Sequence, residues 1–364
     1  MGRSRLERLL SGSTGTPSRG PVTVGLVGLG YWGPNLLRVL HELREVSVSW
    51  ICDRDLERLQ RVADRYPAVT PTCSFEDLLT DPDLDAIVIA TPVFSHYALA
   101  SLSLDAGKHT FVEKPLAPST AQADDLIARA DERGLILMCG LTFLYSPPVR
   151  EVKRLIDVGD LGEIYFVSSS RVNLGLHQRD ISVIWDLGPH DFSILMYWLG
   201  EHPSRVNAVG RDSVVPGIAD VAFIDLAFPS GVLANVELSW LAPSKLRRMV
   251  VVGSEKMVVY DDASPEPVRI FDHGVVYQDP ETFGQYQLSY RSGDIVSPRL
   301  DVVEPLALEL SEFVAAITTD ERPSALTRLA REVVRVIERA ETTLDAGLRH
   351  EGDRTVSRPS IVGG

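Results

Sequence analysis

The stretch "PVTVGLVGLGYWGPNLLRVLHEL" at 21–43 narrows the possible folds more than any other part of the chain. It opens as a nearly continuous apolar strand, breaks at Gly28-Leu29-Gly30-Tyr31-Trp32-Gly33, and resumes with apolar residues at Leu36, Leu37, Val39, Leu40 and Leu43. That spacing belongs to a helix, so the segment reads as strand, glycine turn, helix. Gly28 allows the tight turn, Gly30 lets the backbone approach a pyrophosphate, and Gly33 lets the helix pack closely on its strand. Unpaired amides at the helix start then face the phosphates. The next apolar run, "VSVSWICD", ends at Asp53, where a carboxylate can hydrogen-bond the ribose hydroxyls of an adenosine. Asp53 would repel a 2'-phosphate and so favours NAD. Arg54, directly after it, partly offsets that repulsion and keeps NADP possible.

The alternation continues with a helix at about 55–66, a short strand near 69–71, a helix in "SFEDLLTD" that Ser74 can cap, and the buried strand "LDAIVIA". It then runs through "TPVFSHYALASLSLDAGKHTFVEKPLA". Strands alternating with helices imply a parallel sheet with right-handed crossovers. Ligands bind at the carboxyl ends of such strands, so Thr91-Pro92 and Glu113-Lys114-Pro115 point toward a cofactor cleft. Lys114 follows the apolar strand "HTFV" and precedes a proline. It reads either as a solvated surface lysine or as a cleft residue. In the cleft its ammonium would hydrogen-bond a substrate oxygen, and partial burial would lower its pKa.

A chain of 364 residues favours two domains over one core. Its 45% hydrophobic and 24% charged residues are the mix of a soluble globular protein. A formal charge of -14, from 50 acidic and 36 basic side chains, argues against nucleic acid as a partner. Cys52, Cys73 and Cys139 match no zinc or redox spacing, which suits a reducing cytoplasm. The apolar run "ILMYWL" at 194–199 falls far short of the ~20 residues of a membrane helix. Residues 1–20 lack the apolar centre of a secretory signal and read as a mobile tail, with a short helix possible at Ser4 to Leu10. The closing "GDRTVSRPSIVGG" reads as a loose end.

From about residue 143 the pattern changes. A helix at 147–158 precedes strand-like runs at 163–172, 205–211, 219–228, 231–240, 247–253 and 256–260, and helices follow at 303–318 and 326–346. Runs of strands with few helices indicate an α+β domain with a largely antiparallel sheet. The expected organisation is a tail at 1–20, an α/β Rossmann dinucleotide-binding domain at 21–142, and an α+β domain at 143–364 for substrate binding and oligomerisation. Within the second domain, "WDLGPHD" sets Asp186 four residues ahead of His190. Without an HxH or HExxH arrangement, no metal is expected there. Gly188-Pro189 fits the N-cap and first position of a helix running to Leu199, which would put His190 in the first turn, where the helix dipole disfavours its cation. A neutral imidazole is also what a general base requires, with Asp186 to orient it if the preceding chain folds back. The residues alone leave helix cap and proton handling both open.

Taken together, "GLVGLGYWG", "ATPVFSHYALA", "AGKHTFVEKPLA" and "WDLGPHDFSIL" resemble the Gfo/Idh/MocA family of NAD(P)-dependent sugar and inositol oxidoreductases, and the resemblance runs from residue 21 over nearly the whole chain. It implies that Lys114 is the active-site lysine, that Asp186 and His190 are the acidic and histidine positions on the substrate side, and that Gly28, Gly30, Tyr31, Trp32, Gly33, Asp53, Arg54, Thr91, Pro92 and Glu113 line the dinucleotide. Lys114 and His96 belong to the same cofactor-binding set, His96 matching the motif histidine on the following helix and reading as structural rather than catalytic. Proton handling is then the reading of Asp186 and His190. "WDLGPHD", "SSSRVNLG" and 238–262 look most like enzymes of UDP-N-acetylglucosaminuronate 3-dehydrogenase type, which act at C3 of a nucleotide-linked sugar. Tyr145, Arg171, Asn173, Trp240 and Lys245 are the candidate substrate groups, with Trp240 equally a core residue and Lys245 equally an exposed one. Competing expectations are an NADPH-dependent 3-ketosugar reductase, an inositol or free-sugar dehydrogenase, and an NAD-binding sensor or scaffold without turnover. By resemblance, subunit pairing covers the open sheet face, so a homodimer or homotetramer is expected.

Overall fold

The computed structural model describes residues 20–175, 178, 180–278 and 287–351. The short helix at Ser4 to Leu10 and the loose carboxyl end lie outside the described residues. Six parallel strands form the first sheet: β1 (Val22–Val27), β2 (Val46–Cys52), β3 (Thr70–Thr72), β4 (Ala86–Ile89), β5 (His109–Glu113) and β6 (Leu137–Gly140). Their order, β3-β2-β1-β4-β5-β6, reverses direction between β1 and β4, which opens a crevice at the carboxyl ends of those strands. The connections are α1 (Gly33–Glu42), α2 (Leu56–Arg65), α3 (Phe75–Thr80), α4 (Val93–Asp105) and α5 (Thr120–Arg133). All four residues of β4 are buried, as a strand covered on both faces requires. Local caps set the helix starts. The Asp55 carboxylate accepts from the amides of Glu57 and Arg58 ahead of α2, and the Ser119 hydroxyl accepts from Gln122 in α5. Ser74 stands at the N-cap of α3, but its hydroxyl makes no capping bond.

The glycine turn is built as the spacing demands. Gly28 has φ 95°, and its amide donates to the Cys52 carbonyl at 2.8 Å. A Cβ on Gly33 would lie 2.0 Å from the Gly28 carbonyl oxygen. The start of α1 therefore closes on the end of β1 through backbone alone.

A 3-10 turn (Thr142–Tyr145) and α6 (Pro147–Asp157) lead into eight strands: β7 (Ile164–Leu174), β8 (Arg205–Arg211), β9 (Val221–Ala227), β10 (Leu233–Ser239), β11 (Leu241–Gly253), β12 (Met257–Asp261), β13 (Val268–Gln278) and β14 (Gln287–Val296). Their order is β14-β13-β12-β11-β7-β10-β9-β8, antiparallel throughout except where β7 and β10 run parallel. β13 and β14 went unread in the sequence because Asp272-His273-Gly274 and Arg291-Ser292-Gly293-Asp294 interrupt their apolar alternation. They are the two outermost strands on that side, where burial imposes little pattern. In β8, β9 and β10 buried residues alternate with exposed ones, the buried set facing α7 (Val183–Leu199) and the last helix.

The start of α7 differs from the sequence reading. The N-cap is Ser182, whose hydroxyl accepts from Ile184, and Pro189 lies inside the helix rather than at its first position. A proline costs an interior hydrogen bond, but Val183, Ile184, Gly188, Pro189 and Phe192 are all buried, and packing of that kind overrides local propensity. Two final helices, α8 (Pro305–Thr319) and α9 (Ser324–Glu351), return to the first sheet. Thr327 donates to the Leu137 carbonyl at 2.7 Å, Thr142 donates to Glu309 at 2.6 Å, and the rings of Phe111 and Phe313 meet edge to face at 5.6 Å. α9 also packs on β8 and α7, so it touches both sheets. No helix among the described residues is long and apolar enough to cross a membrane.

The turn geometry separates two glycines by experiment. Gly33→Ala must displace backbone and should lower stability by about 1–3 kcal/mol in urea unfolding. Gly30→Ala faces open space, with only Arg58 Nη1 at 3.9 Å, and should stay within about 0.5 kcal/mol.

Candidate active site

The crevice between β1 and β4 is lined by backbone that a dinucleotide fits. Gly30 leaves open space above the turn, and Asp53 stands at the tip of β2. One Asp53 oxygen accepts from the Leu29 amide at 2.6 Å and the other from the Asp55 amide at 2.9 Å, which holds the carboxylate against the glycine turn. Tyr31, Trp32 and Arg54 are exposed beside it. The Thr91 hydroxyl accepts from Ser95 at 2.7 Å, and Pro92 occupies the N-cap position of α4 without a capping bond. His96 does not face the crevice. It is buried between the two strand-end turns, with Nδ1 2.8 Å from the Pro115 carbonyl and Nε2 2.7 Å from the Thr91 carbonyl, and the neutral ring that burial favours donates to one of the two.

Lys114 leaves β5 and crosses to α7. Its ammonium donates to the Asp186 carbonyl at 2.6 Å and lies 3.4 Å from Asp186 Oδ1. The other Asp186 oxygen accepts from the Trp240 indole at 3.0 Å. Asp186 and His190 are four residues apart on one helix, which places both side chains on the same face beside Lys114. The chain need not fold back to bring them together. Asp186, however, orients Lys114 rather than His190, and no hydrogen bond among the described residues joins Asp186 to the imidazole. The His190 ring stands edge-on to Phe143 with centroids 4.9 Å apart, and its Nδ1 is enclosed without a partner.

The expected substrate groups divide. Arg171 is 4% exposed and forms an ion pair with Asp191, whose other oxygen accepts from Ser169 at 2.6 Å. Its guanidinium is therefore not offered to a ligand carboxylate, and it lies over the Phe143 ring at 4.6 Å instead. Tyr145 is buried beside Arg150, and Trp240 is buried with the positioning contact to Asp186. Asn173 keeps an unpartnered Oδ1, and 3.1 Å separates that oxygen from a Cβ placed on Gly175, which itself neighbours Trp240. Lys245 is exposed on β11. Phe143, Asp191 and Arg247 were absent from the sequence reading. Arg247 sits 5.6 Å from the Phe143 ring and pairs with Asp262 at 3.0 Å. These residues come from separate elements and share no spacing that a linear pattern could show.

A model of the oxidoreductase family with an NAD-binding Rossmann fold, GFO_IDH_MocA, matches residues 22–141, and a model of the GFO/IDH/MocA C-terminal domain matches residues 149–259. The trans-1,2-dihydrobenzene-1,2-diol dehydrogenase of Oryctolagus cuniculus is 31% identical over 242 residues, covering 64% of this chain and 72% of that protein. The UDP-N-acetylglucosamine 3-dehydrogenase of Acidithiobacillus ferrooxidans is 28% identical, covering 65% and 73%. The crystal structure of GenD2 from gentamicin A biosynthesis, in complex with NAD, superposes with a TM-score of 0.77 at 24% identity, covering 92% of this chain and 97% of that one. This chain belongs to the Gfo/Idh/MocA family of NAD-binding oxidoreductases.

The electrostatics at His190 keep the imidazole neutral. Burial is the largest cause that holds its pKa well below the ordinary 6.5, and Lys114, Arg171 and Arg247 add repulsion toward the imidazolium. The cause is not the helix dipole, since His190 lies beyond the first turn. A folded-state pKa below the unfolded one means that the stability of the neutral form is kept above ~pH 6.5 and lost as pH falls below it. In histidine-detected NMR, the His190 ring should show no protonation shift between about pH 7 and pH 6, where a solvent-exposed imidazole titrates.

Proposed function

We propose that this protein transfers a hydride between nicotinamide and C3 of a nucleotide-linked sugar, oxidising a secondary alcohol to a ketone. The observation that carries the reading is the Lys114 contact with Asp186, which draws the end of β5 in the first sheet to α7 of the second, with His190 one turn further on. The dinucleotide is held by the turn at Gly28, Gly30 and Gly33 and by Asp53, with Thr91, Pro92 and Glu113 at the neighbouring strand ends. A dinucleotide bound there would supply the hydride acceptor, its nicotinamide ring.

The protein has to manage the proton. His190, kept neutral by burial and by nearby cations, takes the hydroxyl proton, and the Lys114 ammonium hydrogen-bonds the same oxygen as charge develops on it. Asp186 holds Lys114 in place through its carbonyl and Oδ1, and Trp240 fixes the carboxylate from behind. Lys245 is an exposed cation available to a sugar diphosphate, and Asn173 has a buried Oδ1 without a partner that could accept from a sugar hydroxyl only if the side chain turned. The 3-dehydrogenase among the relatives supports C3 of a nucleotide sugar as the reacting position. The outer face of the second sheet exposes Phe166, Val209, Phe223 and Leu233, which supports pairing of two copies as a homodimer or as half of a homotetramer.

Lys114→Ala and His190→Asn should each reduce kcat by about 10²–10⁴-fold with UDP-linked amino sugars and NAD, followed as NADH absorbance. Near-normal turnover in both variants removes the proton-handling assignment. Equal rates with free sugars or inositols would overturn the nucleotide-sugar reading while leaving the mechanism standing.

A further inference from the structure

Arg247 stands beside the residues of the hydride step, and that step does not use it. In the second sheet it is the cross-strand partner of Arg171, where β11 runs antiparallel to β7. Directly opposed residues of such a pair project from the same face. That face is the one turned to α7, because Ser169 and Arg171 both reach Asp191 on that helix. Arg247 therefore points to the side of the sheet that carries His190, away from the open outer face. Its guanidinium carbon is 5.6 Å from the centre of the Phe143 ring, and the His190 imidazole is 4.9 Å from the same centre. The guanidinium and the imidazole are no further apart than these two distances together, and one hexose with a charged substituent spans such a gap.

Two cations set directly opposite each other on a sheet repel, so each needs an anion. The inner one has it. The side chains of Arg171 and Asp191 are 4% and 2% exposed, and their ion pair is closed within the fold. The outer arginine is answered only in part. Asp262, one residue past β12, donates its amide to the Arg247 carbonyl at 3.0 Å, and its Oδ2 accepts from Arg247 Nη1 at 3.0 Å. Those two side chains are 34% and 28% exposed. Asp262 also accepts from the Tyr260 hydroxyl at 3.3 Å, which draws on the same charge. Among the described residues no other side-chain N–H of Arg247 has an acceptor, and a guanidinium carries five such donors in a planar fork.

We propose that Arg247 binds an anionic group of the substrate, either a carboxylate on the sugar or the diphosphate of its nucleotide, and thereby sets which sugar hydroxyl meets His190 and Lys114. The proposal rests on the hydride-transfer reading for the reacting end of the substrate. Carboxylate and phosphate both offer two oxygens to the two parallel N–H bonds of a guanidinium, so one fork suits either anion. The ligand shares the cation with Asp262, and its oxygens take the donors that Asp262 leaves open. Held at one end by Arg247, the sugar is fixed in direction as well as in place, which is what presenting a single hydroxyl to a base requires. Arg171 cannot serve in this way, since its charge is already spent on Asp191.

The test reads binding without turnover, by calorimetry on the full-length protein saturated with NAD. The probes are UDP, a diphosphate without a sugar, and glucuronate, a carboxylate without a nucleotide. Arg247→Gln should weaken at least one of them about tenfold or more, and the probe that weakens names the anion. Asp262→Asn keeps the volume, removes the competing charge, and should tighten the same probe about threefold or more. A merely structural ion pair would instead weaken binding in both variants. The proposal is overturned by a wild-type protein that binds neither probe at millimolar concentration, by unchanged affinity for both in a folded Arg247→Gln protein, or by an Asp262→Asn protein that binds no tighter. Should the glutamine variant not fold, the asparagine variant decides alone. Absence of hydride transfer with every nucleotide sugar would remove the proposed reaction and leave these binding results standing.

Discussion

Everything in the site is arranged around the reach of Lys114 across the crevice to Asp186. The ammonium takes the Asp186 carbonyl at 2.6 Å and its carboxylate at 3.4 Å. Both side chains are about a quarter exposed, so solvent screening limits the net contribution to stability to ~0–1 kcal/mol. Its importance is positional. The contact joins the carboxyl edge of a parallel sheet to the first turn of a helix from the other half of the chain, and the histidine that follows on that helix arrives at the same place.

Around that contact the protein has buried charge in pairs. Arg171 and Asp191 are almost fully enclosed and satisfy each other, with Ser169 on the second carboxylate oxygen. Removing one partner of such a pair typically costs ~3–5 kcal/mol, because the other is left charged in a dry interior. The same arginine faces the Phe143 ring, and that ring faces His190. A group expected to grip substrate therefore supports the wall against which the imidazole stands. Burial first, and then the cations Lys114, Arg171 and Arg247, keep His190 neutral, so the pairing network and the proposed proton chemistry share their residues.

The last two helices pack on the first half of the chain, and the final one also reaches the second sheet. α8 presents Glu309 to Thr142 and Phe313 to Phe111, while α9 places Thr327 on the Leu137 carbonyl and Arg331 on both oxygens of Asp124 at 2.8 and 2.9 Å. α9 also lies on β8 and α7. A 3.4 Å contact across a crevice needs that fastening, since a shift of about 1 Å would take a reacting group out of reach.

The order of strands and helices in the first half was legible from residue 21 onward because a buried parallel strand, a glycine turn and an amphipathic helix each leave a local periodic mark. So was the close turn at Gly28 and Gly33, whereas the placing of Asp186 and His190 on one helix face was not, because the helix was expected to begin at Gly188 with Asp186 ahead of it. The start of α7 was misread because Pro189 locally imitates a first turn, whereas burial of the surrounding residues carries the helix back to Ser182. β13 and β14 were missed because the outer strands of a sheet carry little burial pattern. Only the tertiary structure could show that Arg171 belongs to Asp191, that Trp240 steadies Asp186, that His96 lies between the Thr91 and Pro115 carbonyls, and that Thr142 donates to Glu309. Each of these joins residues separated by many positions in the chain. Which polar group meets which is settled by desolvation when the sheets and helices close, and no local periodicity records it.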